Sequence, residues 1–117
     1  MRPNLTVVTL GVKDFRRSLR FYKDGLGWAT AATEKDPVAF FDLGGVVLAL
    51  FPSDELAKDA GVPAEGKGFR SFSLAHNAKS EREVDAVFRT VEALGAKIVK
   101  KPGKVFWGGY SGYFAEP

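Results

Sequence analysis

The sequence predicts an α+β fold made of two similar halves. Short runs of β-branched and apolar residues are typical of strands, and two longer stretches carry apolar residues at helical spacing. The elements follow one another in the order β-α-β-β-β, a connector, and then β-α-β-β. This order is an internal repeat. The second copy is one strand short, because nothing after Tyr113–Ala115 corresponds to the strand Val46–Phe51 of the first copy.

The first half covers about residues 5–52 and opens with the strand Leu5–Val12. Successive side chains of a strand point to opposite faces. The two faces here consist of Val8, Leu10 and Val12 on one side, and Val7, Thr9 and Gly11 on the other. Asp14 is a suitable N-cap for the helix that follows, and Gly25 and Gly27 end that helix.

Three further strands complete the first half. They are predicted at Trp28–Glu34, Val38–Leu43 and Val46–Phe51. A turn at Asp36-Pro37 separates the first two, and Gly44-Gly45 between the last two is typical of a hairpin.

The connector, about residues 53–69, begins with a short helix at Ser53–Ala60 and continues with glycine, proline and lysine. The second half, about residues 70–117, starts with the predicted strand Arg70–Asn77. A capping box of Ser80 and Glu83 then predicts a helix start.

The end of the second half is rich in glycine and aromatic residues. Gly95 ends the helix, and strands are predicted at Lys97–Lys100 and Tyr113–Ala115. Between them lies the glycine-rich segment Phe106–Gly112.

Composition excludes several classes of protein. The chain has 117 residues, of which 45% are hydrophobic and 26% charged, so it forms one globular domain and is not disordered. It has no Cys and one His, which excludes a disulfide framework, a thiolate metal site and a His-rich metal site. No apolar run is long enough for a membrane span, and residues 1–6 do not open a signal peptide, so we expect a cytoplasmic protein without a membrane partner.

The net charge of +3 raises the question of nucleic acid. The basic residues fall into one group on the first helix and one group near Pro102-Gly103. Neither group interleaves basic with aromatic residues as RNA-binding motifs do, and no helix-turn-helix or zinc-finger spacing occurs. We therefore expect no nucleic-acid partner and only a weak preference for anionic small molecules.

Three sequence segments together resemble the vicinal oxygen chelate (VOC) superfamily, the group of glyoxalases, bleomycin-resistance proteins and extradiol dioxygenases. They are the run from Thr9 to Asp14, the run Ser18-Leu19-Arg20-Phe21-Tyr22, and Leu26-Gly27. The ending Gly112–Pro117 is similar to the start of the family's F-x-D-P-x-G segment, with Glu116 in place of Asp. The resemblance implies paired βαβββ modules that form a cup-shaped mixed sheet, and a homodimer.

The resemblance also implies positions for metal ligands. Three of the four family positions fall on Val7, Ala49 and Ser71, and the fourth would lie on the missing last strand. Val and Ala have no lone pairs to donate, and a Ser hydroxyl is a poor ligand for transition metals. We therefore expect no metal and no other cofactor.

A ligand pocket remains the main prediction for function. Small or β-branched residues on the inferred concave faces leave room for a ligand, and aromatic residues near the glycine-rich segment could close over it. The candidate residues are Val7, Thr9, Val47, Ala49, Ser71, Ser73, Trp107, Tyr110 and Tyr113.

Several functions fit the resemblance. The first is a glyoxalase-like protein that binds an unidentified small molecule, with degenerate metal-ligand positions and unidentified catalytic residues. The alternatives are a metal-dependent enzyme, either a lactoylglutathione lyase-like lyase or a dioxygenase, and a drug-sequestering protein of the bleomycin-resistance type. The net charge of +3 argues against sequestration of a cationic drug. A purely structural module is the fourth alternative, and it requires the aromatic residues to be packed.

Overall fold

The computed structural model describes residues 2–70 and 72–117. The chain divides into two compact units, Met1–Gly66 and Lys67–Pro117. Each unit combines helical structure with a small β-sheet, so the predicted α+β class is confirmed. No helix in the described part of the chain is long and apolar enough to cross a membrane.

The first unit contains a three-stranded mixed sheet. Its elements are β1 (Val7–Val12), α1 (Phe15–Arg20), a π-helical turn (Phe21–Gly25), β2 (Ala39–Asp42), β3 (Val47–Pro52) and α2 (Ser53–Ala60). The strand order is β1-β3-β2, with β3 parallel to β1 and antiparallel to β2. The predicted hairpin around Gly44-Gly45 is confirmed, and both glycines adopt positive φ angles that favour glycine in such a turn.

The start of α1 confirms the predicted cap. The backbone N–H of Arg17 donates to Oδ1 of Asp14 at 3.1 Å, which satisfies one of the free donors of the first turn. The helix then widens, because the N–H of Leu26 donates to the carbonyl of Phe21, five residues earlier, at 2.9 Å. Gly27, with a φ of +74°, ends this segment.

The core of the first unit lies between the sheet and α1. Its buried members are Val12, Leu19, Ala32, Ala39, Phe41, Leu48 and Leu50. Phe41 is completely buried, and its ring centroid lies 5.9 Å from that of Tyr22 and 6.4 Å from that of Trp28. These contacts are in the range of favourable aromatic pairs. The apolar stripe predicted for the first helix therefore does face the sheet.

The strand predicted at Trp28–Glu34 is wrong. This segment is irregular, and side chains rather than a backbone ladder hold it. The hydroxyl of Thr30 donates to the carbonyl of Phe40 at 2.6 Å, and Lys23 Nζ donates to the carbonyl of Ala32 at 2.7 Å. The segment thus lies beside β2 without adding a strand to it.

The second unit contains one helix and one hairpin, α3 (Glu81–Ala93), β4 (Lys97–Lys104) and β5 (Tyr110–Ala115). Ser80 caps α3 as predicted, since its Oγ accepts from the N–H of Glu83 at 3.1 Å. The carboxylate of Glu83 accepts from the N–H of Lys79, at 3.1 Å, one residue before the position that a standard capping box would use.

The hairpin β4–β5 is longer than the sequence predicts. β4 continues through Pro102 to Lys104, and β5 begins at Tyr110 rather than at Tyr113. Pro102 is tolerated because the sheet has only two strands and the register is irregular there. The loop Val105–Gly109 is closed by a hydrogen bond of 2.9 Å from the N–H of Val105 to the carbonyl of Gly109.

The strand predicted at Arg70–Asn77 is not formed over residues 72–77, which are exposed and irregular. Ser71 lies outside the described residues. Alternation of apolar and polar side chains is a necessary feature of a half-buried strand, but a strand also needs a neighbour to accept its backbone hydrogen bonds.

Candidate functional site

The face of the first sheet that is turned away from α1 brings four of the predicted pocket residues together. In the parallel ladder between β1 and β3, Val7 lies opposite Val47 and Thr9 lies opposite Ala49. On the other side of β3, Phe40 lies opposite Ala49 and Asp42 opposite Val47. Paired residues point to the same face of a sheet. We call the surface formed by these six residues the open face.

The open face is small in the middle and larger at its rim. Ala49 lies on the central strand and is 2% exposed, whereas Val7 and Phe40 on the outer strands are 46% and 55% exposed. Ala49 is therefore covered by its neighbours, and the exposed part of the open face consists of the side chains around it. Thr9 contributes a hydroxyl, so this surface combines apolar area with a polar group, as small-molecule sites do.

Helix α2 limits the open face at the end of β1. A Cβ added to Gly11 would lie 3.1 Å from Cδ2 of Leu56 and 3.3 Å from the Cα of Ser53. These distances are tighter than most Cβ contacts, so a side chain at position 11 would require α2 to shift by a few tenths of an ångström. Helix α2 therefore borders the open face on this side.

The two tyrosines predicted for the pocket lie on opposite faces of β5. The hydroxyl of Tyr110 donates to Oδ1 of Asp85 on α3 at 2.8 Å. The ring of Phe114 contacts Phe88 of α3, with centroids 5.7 Å apart. Since residues 110, 112 and 114 of β5 share one face, Tyr113 points to the other face. The second unit thus does not bring Tyr110 and Tyr113 to one surface.

The hydrogen bond with Asp85 also affects the acidity of Tyr110. It raises the pKa of the phenol above its ordinary value, and partial burial raises it further. A phenol that donates to a carboxylate and resists ionisation is suited to holding α3 against the hairpin, rather than to proton transfer at neutral pH.

The remaining predicted pocket residues lie on irregular segments. Trp107 is in the hairpin loop, is 66% exposed, and its ring lies against the Cα of Gly109. Ser73 is exposed within the irregular residues 72–77. A purely structural module would require all of these aromatic residues to be packed. The exposed ring of Trp107 does not meet this requirement.

Phe40 belongs to the open face but was not among the predicted pocket residues. Its position could have been predicted, since Phe40 and Phe41 are adjacent and must point to opposite sides of any strand that contains them. A groove of about 340 Å³ between α3 and β4 was not predicted either. Four charged residues and three apolar ones line this groove: Asp85, Arg89, Glu92, Lys101, Phe88, Ile98 and Pro102.

The side chains at the implied metal positions do not fit a metal ion. Val7 and Ala49 lie on the same face of the adjacent strands β1 and β3. Their side chains contain only carbon and hydrogen, so neither can coordinate a cation. Ser71, the third position, lies outside the described residues. Within residues 2–70 and 72–117, no three His, Asp or Glu side chains are grouped closely enough to hold a metal.

Comparisons with known proteins agree with this fold. Residues 4–117 match the family described as the Glyoxalase/Bleomycin resistance protein/Dioxygenase superfamily. The uncharacterized protein YraH of Bacillus subtilis is 28% identical over 118 residues, which cover 97% of this chain and 90% of YraH.

Solved structures are similar as well. The crystal structure of a glyoxalase-related enzyme from Fulvimarina pelagi is 33% identical, with a TM-score of 0.86 over 99% of this chain and 82% of that one. Lactoylglutathione lyase from Agrobacterium tumefaciens is 24% identical, with a TM-score of 0.71 over 100% of this chain and 88% of the lyase, which shows a shared fold. The chain belongs to the glyoxalase, bleomycin-resistance and dioxygenase superfamily.

Proposed function

We propose that this chain binds a small organic molecule without the help of a metal, and that the open face of the first sheet forms part of the binding site. The main support is the combination of position and chemistry at Val7 and Ala49. Both lie on the face to which the family resemblance assigns metal ligands, yet neither can coordinate a cation. The open face therefore has no metal-coordinating side-chain atom at these two positions.

The residues of the open face indicate what kind of contact the ligand makes. Val7, Val47 and Phe40 offer apolar area, and Thr9 offers one hydroxyl that can donate and accept. A ligand with a flat apolar part and a single polar group matches this arrangement. Asp42 at the rim already accepts a hydrogen bond of 3.0 Å from the N–H of Gly44, so it helps to fix the turn.

The enzyme alternatives depend on groups that the open face does not provide. Isomerisation of the glyoxalase type and extradiol cleavage both use a metal ion to stabilise charge on the oxygens of the substrate. The similarity to lactoylglutathione lyase is one of fold, and it does not transfer the reaction. Sequestration of a cationic drug is disfavoured by the net charge of +3.

A titration followed by ¹H–¹⁵N NMR tests the proposal. We use 1-naphthalenemethanol, a neutral probe with a flat apolar ring and one hydroxyl. Saturable shifts are expected for the amides of Thr9, Val47 and Ala49. The absence of saturable shifts in the first unit, up to the solubility limit of the probe, would contradict the proposal.

A pair of variants makes the test specific to the open face. Thr9→Trp places a large ring over the middle of the open face and is expected to abolish the shifts. Thr6→Trp makes the same substitution at an exposed residue just before β1 and is expected to leave probe affinity within twofold of the parent. Equal loss of affinity in both variants would mean that the open face is not the site.

A further inference from the structure

The hairpin β4–β5 carries one of the two basic groups of this protein. Residues 97–115 contain four lysines and no acidic residue. The chain has 17 basic and 14 acidic residues in total, so the remainder has 13 basic and 14 acidic residues and a net charge of −1. The hairpin therefore has a local charge of +4, which exceeds the net charge of the whole chain.

One face of the hairpin combines this charge with an aromatic ring and a hydroxyl. Lys100 lies opposite Tyr113 in the ladder, and Ser111 lies opposite Gly103. Tyr110 and Phe114 contact α3, so Lys100, Tyr113 and Ser111 point away from the helix. We call the surface formed by these three residues the cationic face. Tyr113 is 54% exposed there.

The ammonium group of Lys100 is available to a ligand. Among residues 2–70 and 72–117, Lys100 forms no ion pair and no side-chain hydrogen bond. In contrast, Arg20 of the first unit pairs with Glu34 at 2.5 Å. An uncompensated lysine beside a half-exposed tyrosine can bind a carboxylate while the ring contacts the apolar part of the same molecule.

We propose that the cationic face is a binding surface of the second unit by itself, and that its ligand class is an aromatic carboxylate. This inference goes beyond the proposed function, because it assigns a ligand to a second surface of the chain. Lys100 supplies the charge, the hydroxyls of Ser111 and Tyr113 supply donors, and the Tyr113 ring supplies apolar contact. The four lysines also attract anions over a distance of about one Debye length, which is about 10 Å at 0.1 M salt.

Two probes with the same ring system test the charge requirement. 1-Naphthoate carries a carboxylate where 1-naphthalenemethanol carries a neutral alcohol. We expect naphthoate to bind about three- to tenfold more tightly in low salt, as charge-assisted hydrogen bonds allow. Its saturable amide shifts should include Lys100, Ser111 and Tyr113. Raising NaCl from 50 to 500 mM should weaken naphthoate and leave the alcohol unchanged.

Two lysine variants with the same change in net charge locate the contact. Lys100→Gln removes the charge from the cationic face and should remove most of the preference for naphthoate. Lys101→Gln removes the charge of a lysine that lines the groove beside α3, and should reduce naphthoate affinity by less than twofold. Thermal melting of both variants verifies that they remain folded.

Equal affinity for the two probes overturns the anionic ligand class and leaves the proposed small-molecule function in place. Failure of both probes to bind overturns both proposals. Equal loss in Lys100→Gln and Lys101→Gln shows that only diffuse charge attracts the probe, which overturns the assignment to the cationic face. The same result follows if an anionic lipid vesicle or single-stranded DNA, but not naphthoate, shifts these amides.

Discussion

Phe40 and Phe41 are neighbours on β2, and their side chains lie in opposite environments. Phe41 is completely buried among the aromatic residues of the first unit, whereas Phe40 is 55% exposed on the open face. The two residues are chemically identical and one position apart, so they separate the contribution of core packing from that of a surface ring.

We expect Phe41→Ala to destabilise the protein strongly. Removal of a buried Phe side chain costs about 3–5 kcal/mol of unfolding free energy, because it leaves a cavity as well as removing apolar contact. Phe40→Ala should cost less than about 1 kcal/mol, since exposed positions contribute little to stability. Urea denaturation followed by circular dichroism measures both. Similar losses in the two variants would mean that the open face is packed in solution.

Gly112 and Gly109 provide a second matched pair, on the hairpin. A Cβ at Gly112 would lie 2.7 Å from the backbone oxygen of Lys100 and 2.7 Å from Cζ of Phe88. Because backbone must move, Gly112→Ala should cost about 1–3 kcal/mol, as overpacking does. The three atoms nearest to a Cβ at Gly109 all belong to the Trp107 ring, which lies in an exposed loop. Gly109→Ala should therefore displace that ring at little cost in stability.

Tryptophan fluorescence measures the displacement of the Trp107 ring in Gly109→Ala. In a Trp28→Phe background, Trp107 is the one remaining tryptophan. We expect Gly109→Ala to increase quenching of Trp107 by iodide while the melting temperature stays within a few degrees of the background. A large drop in melting temperature would show that the Trp107 ring is fixed by contacts beyond the loop.

The hydrogen bond from Tyr110 to Asp85 makes stability depend on alkaline pH. Since the pKa of Tyr110 is raised in the folded protein, the protonated phenol is favoured by folding. Its stabilising effect is fully present below the ordinary phenol pKa of about 10 and is lost as the pH rises through the folded value. Tyr110→Phe should thus be less stable than the parent at pH 8, and this difference should shrink as the pH rises above 10.

The measurement is urea denaturation of parent and variant across that pH range. Tyr113→Phe is the control, because it removes a phenol on the opposite face of the same strand and leaves the hydrogen bond from Tyr110 to Asp85 in place. A constant difference between Tyr110→Phe and the parent at every pH would contradict the assigned role of the hydrogen bond.

The proposed absence of a metal is tested by elemental analysis. Protein purified without chelators and then dialysed should contain less than about one tenth of an equivalent of Zn, Ni, Fe or Mn, because the side chains of Val7 and Ala49 cannot coordinate these ions. The double variant Val7→His, Ala49→His introduces two imidazoles on the open face and should raise Zn content above that of the parent. One equivalent of metal in the parent would overturn the proposal.

Local chemistry in the sequence predicted the local features of the fold well. Asp14 and Ser80 cap their helices because a short polar side chain before an apolar helical stripe has a specific partner within three residues. Alternation along β1 correctly separated Thr9, on the open face, from Leu10, which packs against the core.

Features that depend on distant partners were not predictable in the same way. Residues 72–77 have the alternation of a strand but form none, because a pattern does not say whether a neighbouring strand exists to pair with. The register shifts in β4–β5 are also invisible in the sequence, and they allow Pro102 to lie within a strand. The opposite directions of Tyr110 and Tyr113 follow from the strand beginning three residues earlier than predicted.

The π-helical turn Phe21–Gly25 has a consequence for how the length of this chain can vary. A π turn contains one residue more than the α-helical path over the same distance. Asp24 is an exposed residue within this turn, whereas Phe21 is buried. Deletion of Asp24 should therefore return the turn to α-helical geometry and leave Phe21 in place. The first unit thus contains a position where relatives can gain or lose a single residue inside a helix, a change that most helices resist because it rotates every later side chain by about 100°.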